Sequence, residues 1–356
     1  MRFASLASEA WRSIASGTSQ AALCSGLLGC IAAVTIGLDL GAVRTIELGE
    51  AAFHAAGADI LVIQAPGRVS PSACEALGSL PGVDAGALRR SASDLVARAL
   101  PSSGIPTFDV SPGLSAVLLA GAAASPGVLV SAAAAESLGL APGDPLVSTA
   151  GELAVGGVYP YPHDGRRAAY EFAVLLPSRS AGAFDECWAR PAGRTDDLAP
   201  LLLGTLVPSS DQQDAPAIAQ LNPSLGRDFD GAGQFAQRPT RHLPLLGAAL
   251  ALVVTLALLR LRRVELAAAR HSGVASRHQW AMALLETAVP VLVMPFVVAP
   301  VVAWIVLDVA PPDLPTYVLL AARGVVLVSL FAVAGTTVGA LLIRERDLFS
   351  HFKERR

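Results

Sequence analysis

Lysine occurs once in this 356-residue chain, at Lys353. A phosphate-binding P-loop needs a lysine in the pattern G-x-x-x-x-G-K-[ST]. The chain therefore carries no ATP site of that kind, and any work driven by ATP falls to a separate subunit. Histidine is scarce too: six residues, scattered, none at metal-ligand spacing. The pair His163-Asp164 lies in a proline-rich turn and reads as part of that turn. No G-x-S-x-G nucleophile motif occurs. Charged residues make up only 15% of the chain and aromatic residues 5%. With no nucleophile, metal set or acid–base constellation, the residues predict no enzyme and no cofactor held by the chain itself.

What is abundant is apolar. Hydrophobic residues reach 53%, and mean hydropathy is +0.53. Both values fit a membrane protein carrying one soluble module. Four long apolar stretches lie at 20–47, 243–261, 280–307 and 317–343. A bilayer core needs roughly 20 apolar residues per helix. The expected architecture is four transmembrane α-helices, one and then three. A large extracytoplasmic α+β domain over 48–242 separates the first from the second.

Charge sets the expected orientation. Residues 48–242 hold 19 acidic side chains against 12 arginines, a net of −7. Such an acidic block argues against nucleic acid as a partner. The loop after the second stretch, 262–279 with its flank, carries Arg260, Arg262, Arg263, Arg270 and Arg277. The tail 344–356 carries Arg344, Arg346, Lys353, Arg355 and Arg356. The loop 308–316 has no base and holds Asp308 and Asp313. Positive charge stays in the cytoplasm. Both termini and the 262–279 loop are expected inside, and 48–242 and 308–316 outside. The abundance of alanine and of arginine over lysine suggests a bacterial source, and hence a multi-pass protein of the bacterial cytoplasmic membrane.

The first stretch is too long and starts too late for a signal peptide, and no small-residue cleavage site follows it. Leu27-Leu28-Gly29-Cys30 has the form of a lipoprotein box, but the chain stays apolar through Leu38, so a membrane helix is expected instead. Ahead of it, in 1–19, Phe3, Leu6, Ala7, Ala10, Trp11 and Ile14 share one helical face. This is an interfacial helix on the inner surface, or a frayed helix at the N-terminus.

Within 48–242, a strand is expected over 59–64, and a helix capped by Ser70 with Pro71 in its first turn. A strand at 128–130, a helix at 131–138, and strands at 146–148, 153–159 and 170–176 come next. Residues 191–242 are rich in Pro, Asp, Gln and Gly and predict a return loop with little regular structure. Pro290, Pro295 and Pro300 predict a kink or break in the third stretch. The Gly335–Gly339 spacing in the fourth, and the small residues of the first, predict close helix packing. Cys74 and Cys187 are the only cysteines outside the membrane. An even count in an oxidising compartment predicts a disulfide between them. Glu286 and Arg323 are ionisable residues inside spans. Glu286 can reach the inner interface and order the loop, by pairing with Arg277 or His278; Arg323 can snorkel outward.

The loop 262–279 and the helix after it resemble the MacB/FtsX-like permeases, the type VII ABC transporter permease family. Glu265, Arg270, Gly273, Ser276, Arg277 and Glu286 match that family's loop and the helix that follows it. The segments 127–144 and 152–158 resemble the family's periplasmic core, and 9–12 its N-terminal helix. The resemblance implies a permease subunit that couples ATP hydrolysis on a separate cytoplasmic ABC ATPase, which binds ATP and Mg, to motion of the extracytoplasmic domain. It implies a dimer with a second permease subunit, identical or not, in contact with membrane lipid, and export of a substrate. The alternative it implies is a non-transporting, FtsX-like subunit that regulates an extracytoplasmic partner such as a cell-wall hydrolase. The outer block is short for a pump that docks to an outer-membrane channel, and 180–242 match no motif of the family.

Overall fold

The computed structural model describes residues 3–119, 125–178, 182–191, 198–208 and 215–343. The tail 344–356, whose bases entered the orientation argument, lies outside the described residues. The chain divides into two units. One is Met1–Leu48 together with Gly231–Arg356; the other is Gly49–Asp230. We call them the helical unit and the sheet unit.

The chain opens with α1 (Phe3–Ala15), an amphipathic helix that buries Leu6 and Ala10 and leaves Trp11 exposed. Helix α2 (Ala21–Ala55) starts in the helical unit and ends in the sheet unit.

In the sheet unit the order is β1 (Leu61–Val69), α3 (Pro71–Leu77), β2 (Val83–Arg90), β3 (Leu95–Val96), β4 (Gly104–Ile105), β5 (Thr107–Val110) and α4 (Leu114–Leu119). Then come β6 (Val128–Ser131), α5 (Ala132–Leu138), β7 (Pro145–Ser148), β8 (Gly151–Tyr159), β9 (Val174–Pro177), β10 (Phe184–Pro191), α6 (Leu198–Leu203) and β11 (Ala217–Gln220). Among the described residues, nine strands form one sheet in the order β11-β1-β10-β2-β5-β9-β6-β8-β7. It is mixed: β5 with β9 and β6 with β8 run parallel, and the other pairs are antiparallel. A large α+β domain thus separates the first long helix from the rest.

Local chemistry explains the helix ends. Ser70 Oγ accepts from Ala73 N at 3.3 Å, and Pro71 occupies the first turn, where no donor is missed. Ser131 caps α5 in the same way, and Gly139 ends that helix in the left-handed region at φ +63.

Strand alternation sends side chains to opposite faces. Val62, Leu88 and Trp188 join Phe108, Leu114 and Tyr159 in one core. Their neighbours Ile63, Ala87 and Cys187 join Cys74, Leu77 and Leu202 on the other. Helices α3 and α6 cover that second face. The stretch beyond Pro191, expected as a loop, contributes the six-residue helix α6 and the edge strand β11. Leu198 and Leu202 bury themselves there without a long periodic run to announce them.

The helical unit continues with α7 (Gly231–Gln237), α8 (Leu243–Leu261), α9 (Arg263–His271), α10 (Ser276–Ile305) and α11 (Leu314–Leu342). Among the described residues, four helical runs are long and apolar enough to cross a membrane: α2, the run Gly231–Leu261 that contains α8, α10 and α11.

The compact sheet unit ends at Asp230, and the residues beyond it group with the long helices. The third apolar stretch is one continuous helix with Pro290, Pro295 and Pro300 inside it, so the chain does not break there. Apolar surroundings and neighbouring helices let a long helix carry prolines without ending.

The glycines of α11 show how closely the helices approach. A Cβ on Gly335 would lie 2.2 Å from Thr255 Oγ1 and 2.5 Å from the Leu252 carbonyl oxygen. One on Gly339 would lie 2.9 Å from Leu259 Cδ2. The small-xxx-small pair is therefore the seat of α8 against α11. Gly29 and Gly37 of α2 face Val297 and Val301 of α10, whereas Gly26 and Gly41 face open space.

Candidate functional site

The segment joining α8 to α10 forms an elbow, and its geometry is set by a few residues. Helix α9 has Glu265 in its first turn and Arg270 and His271 in its last, each placed favourably for the helix dipole. The helix ends where Gly273 takes φ +94, a left-handed conformation that side-chain-bearing residues adopt with strain. Gly273 N donates to Arg270 O at 2.9 Å and Val274 N to Ala269 O at 3.1 Å, which satisfies the last carbonyls. Helix α10 then begins at Ser276.

Two arginines hold the elbow to the bundle. Arg262 Nη1 donates to Glu286 Oε2 at 2.6 Å, while its Nε and Nη2 donate to the Glu265 carboxylate at 3.2 and 3.1 Å. The side chains of Arg262 and Glu286 are each 10% exposed, and that of Glu265 is 57% exposed. Burial alone would lower the Arg262 pKa. The hydrogen bond to Glu265 and the charge of Glu286 outweigh it, and the guanidinium is held above its ordinary value. Arg270 Nε donates to Gln279 Oε1 at 2.7 Å. Its other nitrogens donate to the carbonyls of Ala340, at 3.1 Å, and Ile343. Those carbonyls belong to the end of α11, where no intrahelical donor is left. Gln279 Nε2 in turn donates to Leu266 O at 2.7 Å.

The residues expected at this loop therefore divide. Arg270 and Glu286 face inward and fix the elbow to α11 and α8. Glu265, Gly273, Ser276 and Arg277 are exposed, with His271, Ser272 and Ala275 completing an outward ridge. Ser276 and Arg277 form the first turn of α10. The cation on Glu286 is Arg262, not Arg277 or His278. In the sequence Arg262 is one of several loop arginines, and nothing in its spacing distinguishes it.

Other predicted positions lie apart from the elbow. Arg323 is exposed on α11, about two and a half turns from its start. Cys74 and Cys187 are disulfide-bonded with Cα atoms 5.8 Å apart, joining α3 to β10. His163 pairs with Glu171 and Asp164 with Arg166. Among the described residues no group of three His, Cys, Asp or Glu could hold a metal ion.

Two ionic clusters escape a reading of the sequence. Arg238 Nε donates to Asp39 Oδ1 at 2.9 Å and its Nη2 to Oδ2 at 3.3 Å, with both residues buried among the long helices. In the sheet unit, Glu186 on β10 accepts five hydrogen bonds. Gln64 Nε2 and Arg167 Nη2 donate to Oε1, both at 2.9 Å. Trp188 Nε1 at 2.8 Å, Tyr170 OH at 3.0 Å and Arg167 Nη1 at 3.2 Å donate to Oε2. Burial holds the phenols of Tyr159, Tyr161 and Tyr170 above their ordinary pKa. Both oxygens of the carboxylate are satisfied, so this is a structural hub.

No protein-family model matches this chain, and no curated protein matches it either. Among solved structures, the periplasmic region of MacB from Actinobacillus actinomycetemcomitans is similar to it at 10% identity, with a TM-score of 0.32. That match covers 47% of this chain and 91% of the other.

Proposed function

We propose that the chain is the membrane-spanning permease subunit of an ABC transporter complex. It lies in the bacterial cytoplasmic membrane with both termini inside. The elbow is the surface that a separate cytoplasmic ATPase grips. The observation that carries this reading is the elbow's construction: an exposed ridge of Glu265, Gly273, Ser276 and Arg277, anchored from beneath by Arg262 and Arg270. A solvated loop needs no such anchors, whereas a surface that transmits force does. The match of these residues to the loop of the MacB/FtsX-like family supports the same reading. So does the single lysine, which leaves nucleotide hydrolysis to another chain.

In this reading, closure of the ATPase dimer on ATP displaces the ridge. Arg270 passes the displacement to the end of α11, and Arg262 with Glu286 passes it to α8 and α10. Helix α2 runs in one piece from the helical unit into the sheet unit, and carries the motion outward. The chain works as a dimer and moves a substrate that has already left the cytoplasm. It holds no cofactor; ATP and Mg belong to the partner.

The test is co-purification of the full chain with its ATPase. Glu265→Ala combined with Gly273→Val removes the exposed carboxylate and strains the turn. Loss of ATPase association and of stimulated hydrolysis is the expected result. Unchanged association and unchanged hydrolysis refute the assignment.

A further inference from the structure

Beside the elbow, inside the helical unit, lies a cavity of about 560 Å³. That is within the range of small-ligand sites. Glu9 and Arg12 of α1 line it, with Glu265 and Leu266 of α9 and Met282 and Glu286 of α10. The hydroxyls of Ser13 and Thr18 sit at the same wall, 3.1 Å from each other.

The charges are unevenly used. Glu265 and Glu286 are both committed to Arg262. Among the described residues, Glu9 and Arg12 have no ion-pair partner. Both are exposed, about one helical turn apart on α1, so one carboxylate and one guanidinium stand at the mouth of the same space without an ion-pair partner. A ligand that satisfies both carries an ammonium and a phosphate. The guanidinium and the two hydroxyls suit the phosphate, and Glu9 suits the ammonium. Leu266 and Met282 offer an apolar wall for the glycerol and acyl carbons attached to such a head group.

The aromatic residues set the level. Trp11, beside Arg12, is 67% exposed, and Trp280, beside Gln279 of the cavity wall, is 41% exposed. Exposed tryptophans on an amphipathic surface helix and near the end of an apolar helix sit at the membrane–water interface. The cavity is then at head-group depth, next to the ridge that would meet the ATPase.

We infer that this cavity binds the head group of an amine-bearing, zwitterionic phospholipid of the phosphatidylethanolamine kind. The inference rests on the membrane placement proposed above, but not on the coupling role of the elbow. Lipid occupancy fixes α1 against α9, so the state of the elbow depends on the lipid around it.

The experiment is native mass spectrometry of the full chain, delipidated in detergent and titrated with phosphatidylethanolamine, phosphatidylglycerol and free phosphoethanolamine. A retained phosphatidylethanolamine adduct is expected, with phosphatidylglycerol about tenfold weaker. Arg12→Ala and, separately, the isosteric Glu9→Gln should each weaken the adduct about tenfold. Circular dichroism verifies that each variant is folded. Equal retention of both lipids, or an adduct unaffected by both variants, overturns the proposal. Binding of free phosphoethanolamine as strong as that of the lipid also overturns it, in favour of a soluble ligand. If Arg12→Ala releases the ATPase while the lipid adduct persists, the cavity belongs to the ATPase dock and the proposal falls.

Discussion

Glu286 offers the sharpest test of how the elbow is held. Its carboxylate accepts from Arg262 at 2.6 Å, and both side chains are 10% exposed. Removing one member of a buried pair costs about 3–5 kcal/mol, because the other charge stays buried without its partner. Arg262 keeps Glu265 in Glu286→Ala, but Glu265 is 57% exposed, and such pairs contribute only about 0–1 kcal/mol. The expected loss is therefore near the lower bound, about 3 kcal/mol. Glu286→Gln retains an acceptor for Arg262 and should lose about half as much, roughly 1.5 kcal/mol. Glu265→Ala should lose less than about 1 kcal/mol. Equilibrium unfolding of the full chain in mixed micelles, followed by circular dichroism, ranks the three. A double-mutant cycle between positions 262 and 286 isolates the pair. If Glu286→Ala is no more costly than Glu265→Ala, the division into inward anchor and outward ridge is wrong.

Reduction of Cys74–Cys187, which are 113 residues apart, should destabilise the sheet unit by up to about 5 kcal/mol from chain entropy; a midpoint of denaturation unmoved by reductant contradicts this. Gly335→Ala should cost about 1–3 kcal/mol through its collision with Thr255 and Leu252, whereas Gly26→Ala, which meets nothing within 4 Å, should be neutral or slightly stabilising; thermal unfolding in detergent compares them. Tyr159, Tyr161 and Tyr170 have folded pKa values raised by burial, so their contribution is complete below the unfolded phenol pKa of about 10 and is lost as pH rises beyond it. Urea midpoints of the sheet unit that stay constant from about pH 9 to about pH 12 would show that these phenols are not buried as described.

The long helices and the α3 and α5 caps are readable in the sequence because each rests on a short-range signal: apolar length, Ser before the first turn, Gly after the last. The central strands β2 and β10 are not. They read VDAGALRR and FDECWARP, with charges inside what becomes the middle of the sheet. Glu186 is buried there only because Gln64, Arg167, Tyr170 and Trp188 converge on it, and no local pattern announces that. The elbow is visible as a basic run ending at a glycine. Its inward half is hidden, because the partners of Arg270 on α11 are backbone carbonyls 70 and 73 positions away, which carry no sequence signature. Asp39 and Arg238, separated by 199 positions, are hidden for the same reason.

Force can pass from the elbow to the sheet unit as proposed only if the two lie on opposite sides of one membrane. Single cysteines introduced at Ser272 on the elbow and at Ser102 on the sheet unit, both exposed, report this directly when Cys30 is replaced by alanine. A membrane-impermeant maleimide applied to cells whose cytoplasmic membrane is intact should label Ser102→Cys at once and Ser272→Cys only after that membrane is permeabilised. Labelling of both before permeabilisation, or of Ser272→Cys alone, contradicts it.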